Sequence, residues 1–119
     1  MKARMKSQLR GAGNPGSRSF PATRTAFTES HHAPANSASP ISTGDGPALA
    51  MERADHYDTA SWGNSREARA YRAEQSRLIE EGRFRDAQQM DIDDIRAKFG
   101  TKYDDAIQQM LDYTERQGY

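Results

Sequence analysis

Ala48-Leu-Ala-Met-Glu-Arg-Ala-Asp-His56 sets a short apolar run directly ahead of a polar stretch that carries a single histidine. Residues 48–51 are long enough for a short strand, and residues 52–61 read as a short helix ended by Trp62-Gly63. Upstream, Thr23-Arg-Thr-Ala-Phe-Thr-Glu-Ser30 alternates weakly and is rich in Thr, which predicts another short strand ending at the pair His31-His32. Ala33 to Pro47, with three prolines and Gly44-Asp45-Gly46, is the loop between the two strands. A strand, a loop, a strand and a helix therefore gather the chain's three histidines within a stretch of 26 residues.

Three helices are expected downstream. Asn64 caps the first, with Glu67 completing a capping-box pattern; Ala68, Tyr71, Leu78 and Ile79 form its apolar face and Gly82 ends it. Phe84 to Lys98 follows, with Phe84, Ala87, Ile92, Ile95 and Phe99 facing inward and Gly100 as the stop. Thr101 caps the last, where Tyr103, Ile107, Met110, Leu111 and Thr114 recur at helical spacing. Such stripes are read as packing surfaces, and Trp62 is read with them as core.

With 119 residues, of which 34% are apolar, the chain supports one domain with one modest core. No apolar run of about 18 residues is present, so no helical membrane span is expected. The opening Met1–Arg10 lacks the apolar stretch of a secretory signal. The absence of cysteine excludes disulfides and thiolate-ligated metal. A formal net charge of zero conceals two unequal parts: residues 1–50 carry +4, and residues 51–119 carry −4. All five prolines lie in the first part. Residues 1–22 read as a basic flexible arm and 23–119 as one α+β domain. Within it, 23–63 is a strand–strand–helix core and 64–119 a three-helix segment.

Any chemistry rests on the histidines, because imidazole both binds divalent ions and takes a proton near neutral pH. Neighbouring residues on a strand point to opposite sides, so His31 and His32 are suited to different tasks. Ser30-His31-His32, the loop, Ala48–Met51 and Met51-Glu-Arg-Ala-Asp-His56 resemble the ββα-metal core of HNH/endonuclease VII-type nucleases. The separation of 24 residues between His32 and His56 is similar to that of colicin-type DNases. Thr59-Ala-Ser-Trp-Gly63, Ala70-Tyr-Arg72, Leu78-Ile-Glu-Glu-Gly82 and the segment Met90–Tyr103 look like tips of bacterial polymorphic toxins of the Rhs type. The likeness spans roughly Phe27 to Gly118.

The resemblance implies a small metal finger followed by a mostly helical part. It also implies an endonuclease acting on DNA, delivered into a target cell as part of a larger toxin and neutralised by a cognate immunity protein. His31 and His56 would bind the ion, and His32 would be the general base that activates water. The position four residues after His56, a further ligand in colicin-type enzymes, is Ala60. Sparse protein ligation suits Mg²⁺ or Mn²⁺ better than a closed Zn²⁺ site. Asp55 is a candidate support for the ligating imidazole, and Asn36 a candidate to orient the base.

Arg53, Arg66 and Arg69 are candidate phosphate contacts, with Arg72 continuing a three-residue spacing along one helix side. The competing reading of that row is a solvated face ion-paired to Glu67 and Glu74. The acidic run Asp91, Asp93, Asp94 with Asp104 and Asp105 is expected to face away from DNA. Two alternatives remain open at this level. One is a helical protein-interaction module with a disordered N-terminal half; the other is an RNase using imidazoles without metal.

Overall fold

The computed structural model describes residues 28–119. The arm 1–22, Arg24 and the expected strand residues 23–27 lie outside the described residues. Two antiparallel strands, β1 (Thr28–His32) and β2 (Ala48–Glu52), lead into a short helix α1 (Arg53–Tyr57). Three longer helices follow: α2 (Arg66–Glu80), α3 (Phe84–Phe99) and α4 (Asp104–Gln117). The fold class is α+β, with the strand–loop–strand–helix order ahead of a helical remainder.

Pairing places His31 opposite Leu49 and His32 opposite Ala48. The histidine pair ends β1, as expected, because the ladder with β2 continues to His32. Helix α1 is shorter than the expected 52–61. The Thr59 hydroxyl donates to the His56 carbonyl at 2.7 Å, and the Ala60 amide donates to the Asp94 carboxylate at 2.8 Å. These bonds draw the chain off the helix axis and onto α3.

Ser65, not Asn64, caps α2: its hydroxyl accepts the Ala68 amide at 3.0 Å. Glu67 then lies one position too early to complete a capping box. Gly82 ends that helix as expected, at φ +78°. Thr101 does not cap α4, which begins at Asp104 after a turn closed by its own carbonyl.

The core contains Ala33, Leu49 and Met51 from the hairpin and Ile92, Ile95, Tyr103, Ile107 and Met110 from α3, α4 and the turn between them. Residues 28–52 therefore belong to the folded body, and the reading of the N-terminal half as a disordered tail fails for this stretch. A two-stranded hairpin is marginal alone; here the helices cover its apolar side. Tyr103 adds a polar tie at the β2–α1 junction, accepting the Glu52 amide at 3.1 Å and donating to Asp55 at 2.6 Å.

A buried polar layer joins the loop after β1 to the helices. The Gln75 side chain, fully buried, accepts the Ala35 amide at 3.2 Å and donates to the Ala87 carbonyl at 3.1 Å and the Asp91 carboxylate at 2.8 Å. Gln88 donates to the Ala33 carbonyl at 3.1 Å and the Thr114 hydroxyl at 2.9 Å. Asp91 also accepts from the Tyr71 hydroxyl at 2.7 Å. The acidic run is therefore not a uniform solvent face. Asp91 is interior, and Asp94 is engaged by Ala60 and by Lys98 at 2.9 Å. Gln75→Ala strands the Ala35 amide and an Asp91 oxygen, and is expected to cost about 3 kcal/mol. An unchanged urea midpoint would show that the loop is held elsewhere.

Burial raises the Asp91 carboxyl to about 7, against the hydrogen bonds from Tyr71 and Gln75 that favour its charged form. The native state then holds this proton more tightly than the unfolded chain does. Its contribution is present in acid and is lost as pH rises from about 4 to about 7, a span worth up to about 4 kcal/mol. Asp91→Asn is expected to remove this component, so that the stability difference between variant and wild type shifts in the variant's favour between pH 5 and pH 7.5. Parallel pH profiles would show that Asp91 is ionised throughout.

Candidate functional site

Strand alternation sends Glu29 and His31 to one face of β1, and α1 returns along that face. His56 consequently meets both. Its ring lies 5.1 Å from that of His31, edge to face, and its Nδ1 donates to the Glu29 carboxylate at 2.8 Å. Tyr57 donates to the other Glu29 oxygen at 3.3 Å, and Arg53 pairs with it at 3.2 Å. The hydrogen bond from His56 holds the Glu29 carboxyl below its usual range, with Tyr57 and Arg53 adding to the effect against burial. A carboxylate can only accept, so the neutral His56 ring carries its proton on Nδ1 and its lone pair on Nε2.

His31 is only 2% exposed, and its Nε2 is buried without a hydrogen-bond partner. Burial pushes its imidazole well below the ordinary value, and the nearby charges of His56, His32 and Lys98 act in the same direction. A buried polar nitrogen left unsatisfied is a costly feature that a metal ion or a substrate donor relieves. The divalent ion implied by the resemblance fits His31 and His56 in this respect, with Glu29 orienting the second ring. Among the described residues no group of three or more His, Cys, Asp or Glu side chains is arranged to hold an ion. An ion at the two imidazoles would therefore complete its shell with water and phosphate oxygens.

His32 is steered by the loop that follows it. Its Nε2 lies 2.9 Å from the Thr43 carbonyl, and Asn36 donates to the Thr43 hydroxyl at 3.1 Å. A carbonyl accepts only, so the neutral ring places its proton on Nε2 and its basic lone pair on Nδ1. Gly46 allows this loop to pass close: a Cβ there would stand 3.3 Å from the His32 ring. Asn36 thus reaches the imidazole indirectly, through Thr43.

Asp55 turns away from the histidines and takes hydrogen bonds from Tyr103 and from Lys102 at 2.7 Å. The support expected of Asp55 falls to Glu29. The sequence signal was there, since Glu29 precedes His31 by two residues and so shares its strand face. The Thr43 carbonyl had no such signal.

His31, His32 and His56 line one open groove of about 580 Å³, together with Asn36, Trp62 and Arg72. Arg72 donates to the carbonyls of Ser61 at 2.7 Å and Gly63 at 2.6 Å, fixing the turn that carries Trp62. Trp62 is exposed there instead of lying in the core. Arg69 donates to the Asn64 carbonyl, and Arg66 is exposed.

Among the described residues Arg53, Arg77, Arg83, Arg85, Arg96, Lys98 and Lys102 lie within ion-pair distance of a carboxylate. Arg66, Arg69, Arg72 and Arg116 do not. The competing reading of the α2 row, pairing to Glu67 and Glu74, is not formed, and Glu74 is taken by Arg77 at 2.6 Å. Arg53, by contrast, is compensated by Glu29.

Comparison of the chain with protein-family models, with characterised proteins and with solved structures finds no match.

The two hydrogen bonds predict the ring tautomers. Long-range ¹⁵N NMR above pH 8 is expected to show His56 protonated on Nδ1 and His32 on Nε2. Glu29→Ala should let the His56 signals average between tautomers while leaving those of His32 unchanged. The opposite assignment for either ring would contradict the geometry.

Proposed function

We propose that this protein is a metal-dependent endonuclease that hydrolyses phosphodiester bonds of DNA, built on the ββα-metal arrangement of the HNH/endonuclease VII superfamily. The observation that carries the reading is the meeting of a strand-borne His31 and a helix-borne His56, rings 5.1 Å apart, in a groove that His32 also lines. His31 and His56 would hold Mg²⁺ or Mn²⁺, with Zn²⁺ the third candidate. The ion would polarise the scissile phosphate and steady the leaving 3′ oxygen.

The protein's own groups supply the rest. Glu29 keeps the Nε2 lone pair of His56 directed away from itself by holding Nδ1. His32, oriented through Thr43, takes a proton on Nδ1 from the attacking water as the water oxygen bonds to phosphorus and the P–O3′ bond breaks. The uncompensated row Arg66, Arg69 and Arg72 offers phosphate contacts leading to the groove, which attract any sequence alike. The toxin-tip role, delivery from a bacterium into a target cell and a cognate immunity protein belong to the same proposal and rest on the sequence resemblance.

Plasmid cleavage tests it. Purified protein is expected to nick supercoiled DNA with Mg²⁺ or Mn²⁺ and to stop in EDTA. His32→Ala should lose on the order of a hundredfold or more in rate, and His31→Ala should lose cleavage with it. Arg66→Ala with Arg69→Ala should weaken DNA binding and reduce its logarithmic salt slope by about two. Full activity of His32→Ala, or no cleavage with any divalent ion, would end the assignment. EDTA-resistant cleavage of RNA would replace it with metal-free imidazole chemistry.

A further inference from the structure

Large aromatic side chains are exposed at one place among the described residues: Tyr57, 45% exposed, and Trp62, 46% exposed. They lie against each other with ring centroids 4.6 Å apart and planes 34° from parallel. Exposing two such rings forgoes burial that both are well suited to give, so their placement calls for an occupant. We infer that this pair is a stacking shelf for an unpaired base, and that the substrate enters the groove as a single strand or a locally unpaired segment. The inference deepens the nuclease reading and rests on it.

The shelf is held rigidly. Tyr57 closes α1, and its hydroxyl is tied to Glu29 at 3.3 Å. The Trp62 amide donates to the Thr59 carbonyl at 3.2 Å, and Gly63 reverses the chain at φ +88°. Arg72 grips the carbonyls on either side of Trp62. Little ordering is then left to be done when a ring stacks on it.

Position and charge identify the occupant. Trp62 lines the same groove as the three histidines, and the Tyr57 ring is 6.3 Å from that of His56. A base on the shelf would therefore stand next to the phosphate presented to the histidines. Arg72, also in the groove, has no carboxylate partner among the described residues, which suits an anionic strand. Aromatic faces accept any base, consistent with cleavage of little sequence preference. Bases in an intact duplex already stack on their neighbours and present only edges, so a face-on shelf selects unpaired nucleotides.

Trp62 is the only tryptophan in the chain, so its fluorescence reports this shelf alone. The full chain carrying His32→Ala, with Mg²⁺, is titrated with oligo(dT), oligo(rU), a blunt duplex of the same length and an abasic single strand. Expected is quenching of Trp62 by the base-bearing single strands at concentrations roughly tenfold below those needed for the duplex or the abasic strand. Adding Trp62→Ala, followed by a labelled strand, should weaken single-strand binding about tenfold, whereas Trp62→Phe retains most of it. The order of oligo(dT) and oligo(rU) distinguishes DNA from RNA as the source of the base.

Unchanged emission at saturating single strand overturns the inference. Equal binding of abasic and base-bearing strands does so too, as does unaltered binding by Trp62→Ala with a wild-type circular dichroism spectrum. Quenching without plasmid cleavage by the wild type would leave the shelf standing and remove the nuclease. Cleavage without quenching would do the reverse.

Discussion

Two buried glutamine side chains hold the backbone that leaves the histidine pair, and the rest of the site depends on that grip. Gln75 takes the Ala35 amide, and Gln88 donates to the Ala33 carbonyl. Those peptide groups lie in the interior, where no water would meet them, so each needs a partner from the protein. The Ala33 amide is met by the Pro47 carbonyl at 3.0 Å, which closes the hairpin above its last pair, and α2 and α3 satisfy the others. The loop is thus a fixed wall, able to place Thr43 against His32 and Asn36 behind Thr43. Asp91 completes the layer by engaging the other side of Gln75, at the expense of a carboxyl whose charged form is disfavoured by burial.

The division of labour between elements follows from their sizes. β1, β2 and α1 have five residues each, too few to be stable by themselves, yet they carry all three histidines. The three long helices carry little of the proposed chemistry. They supply the apolar surface on which Leu49 and Met51 are buried, and so bring the strand ends into register with α1. Their charges are sorted accordingly. Four of their eight cations, Arg77, Arg85, Arg96 and Lys98, are paired with carboxylates, while the row from Arg66 to Arg72 has no carboxylate partner among the described residues where α2 approaches the groove. Zero net charge is therefore no obstacle to an anionic partner, because the local balance at the groove is what a phosphate meets.

Glu29 shows how the site differs from a set of separate histidines. One carboxylate receives His56, Tyr57 and Arg53, so the metal-binding candidate, the aromatic shelf and the first arginine after β2 share one anchor. His56 is held in one tautomer, and Arg53 is ion-paired to the same carboxylate. Asp55, adjacent in sequence to His56, points elsewhere, since neighbours on a helix diverge by about 100°. Its bonds to Tyr103 and Lys102 instead secure the start of α1 to the approach of α4.

The order of elements, the α+β class, the apolar stripes of α3 and α4 and the clustering of the three histidines were all legible in the residues. They are consequences of local periodicity, of glycine stops and of short-range chain connection. The N-caps of the long helices and the extent of α1 were not legible to the residue. They are decided by bonds such as Thr59 to His56 and Ala60 to Asp94, between segments far apart or of equal local promise. The buried Gln75, Gln88 and Asp91, the exposed Trp62 and the partnership of Glu29 with His56 belong wholly to the tertiary structure. A polar residue becomes interior, or an aromatic one exposed, only according to what the rest of the chain brings beside it. The sequence alone determined which groups are capable of chemistry; packing decided which of them share one groove, since that depends on long-range contacts no local pattern encodes.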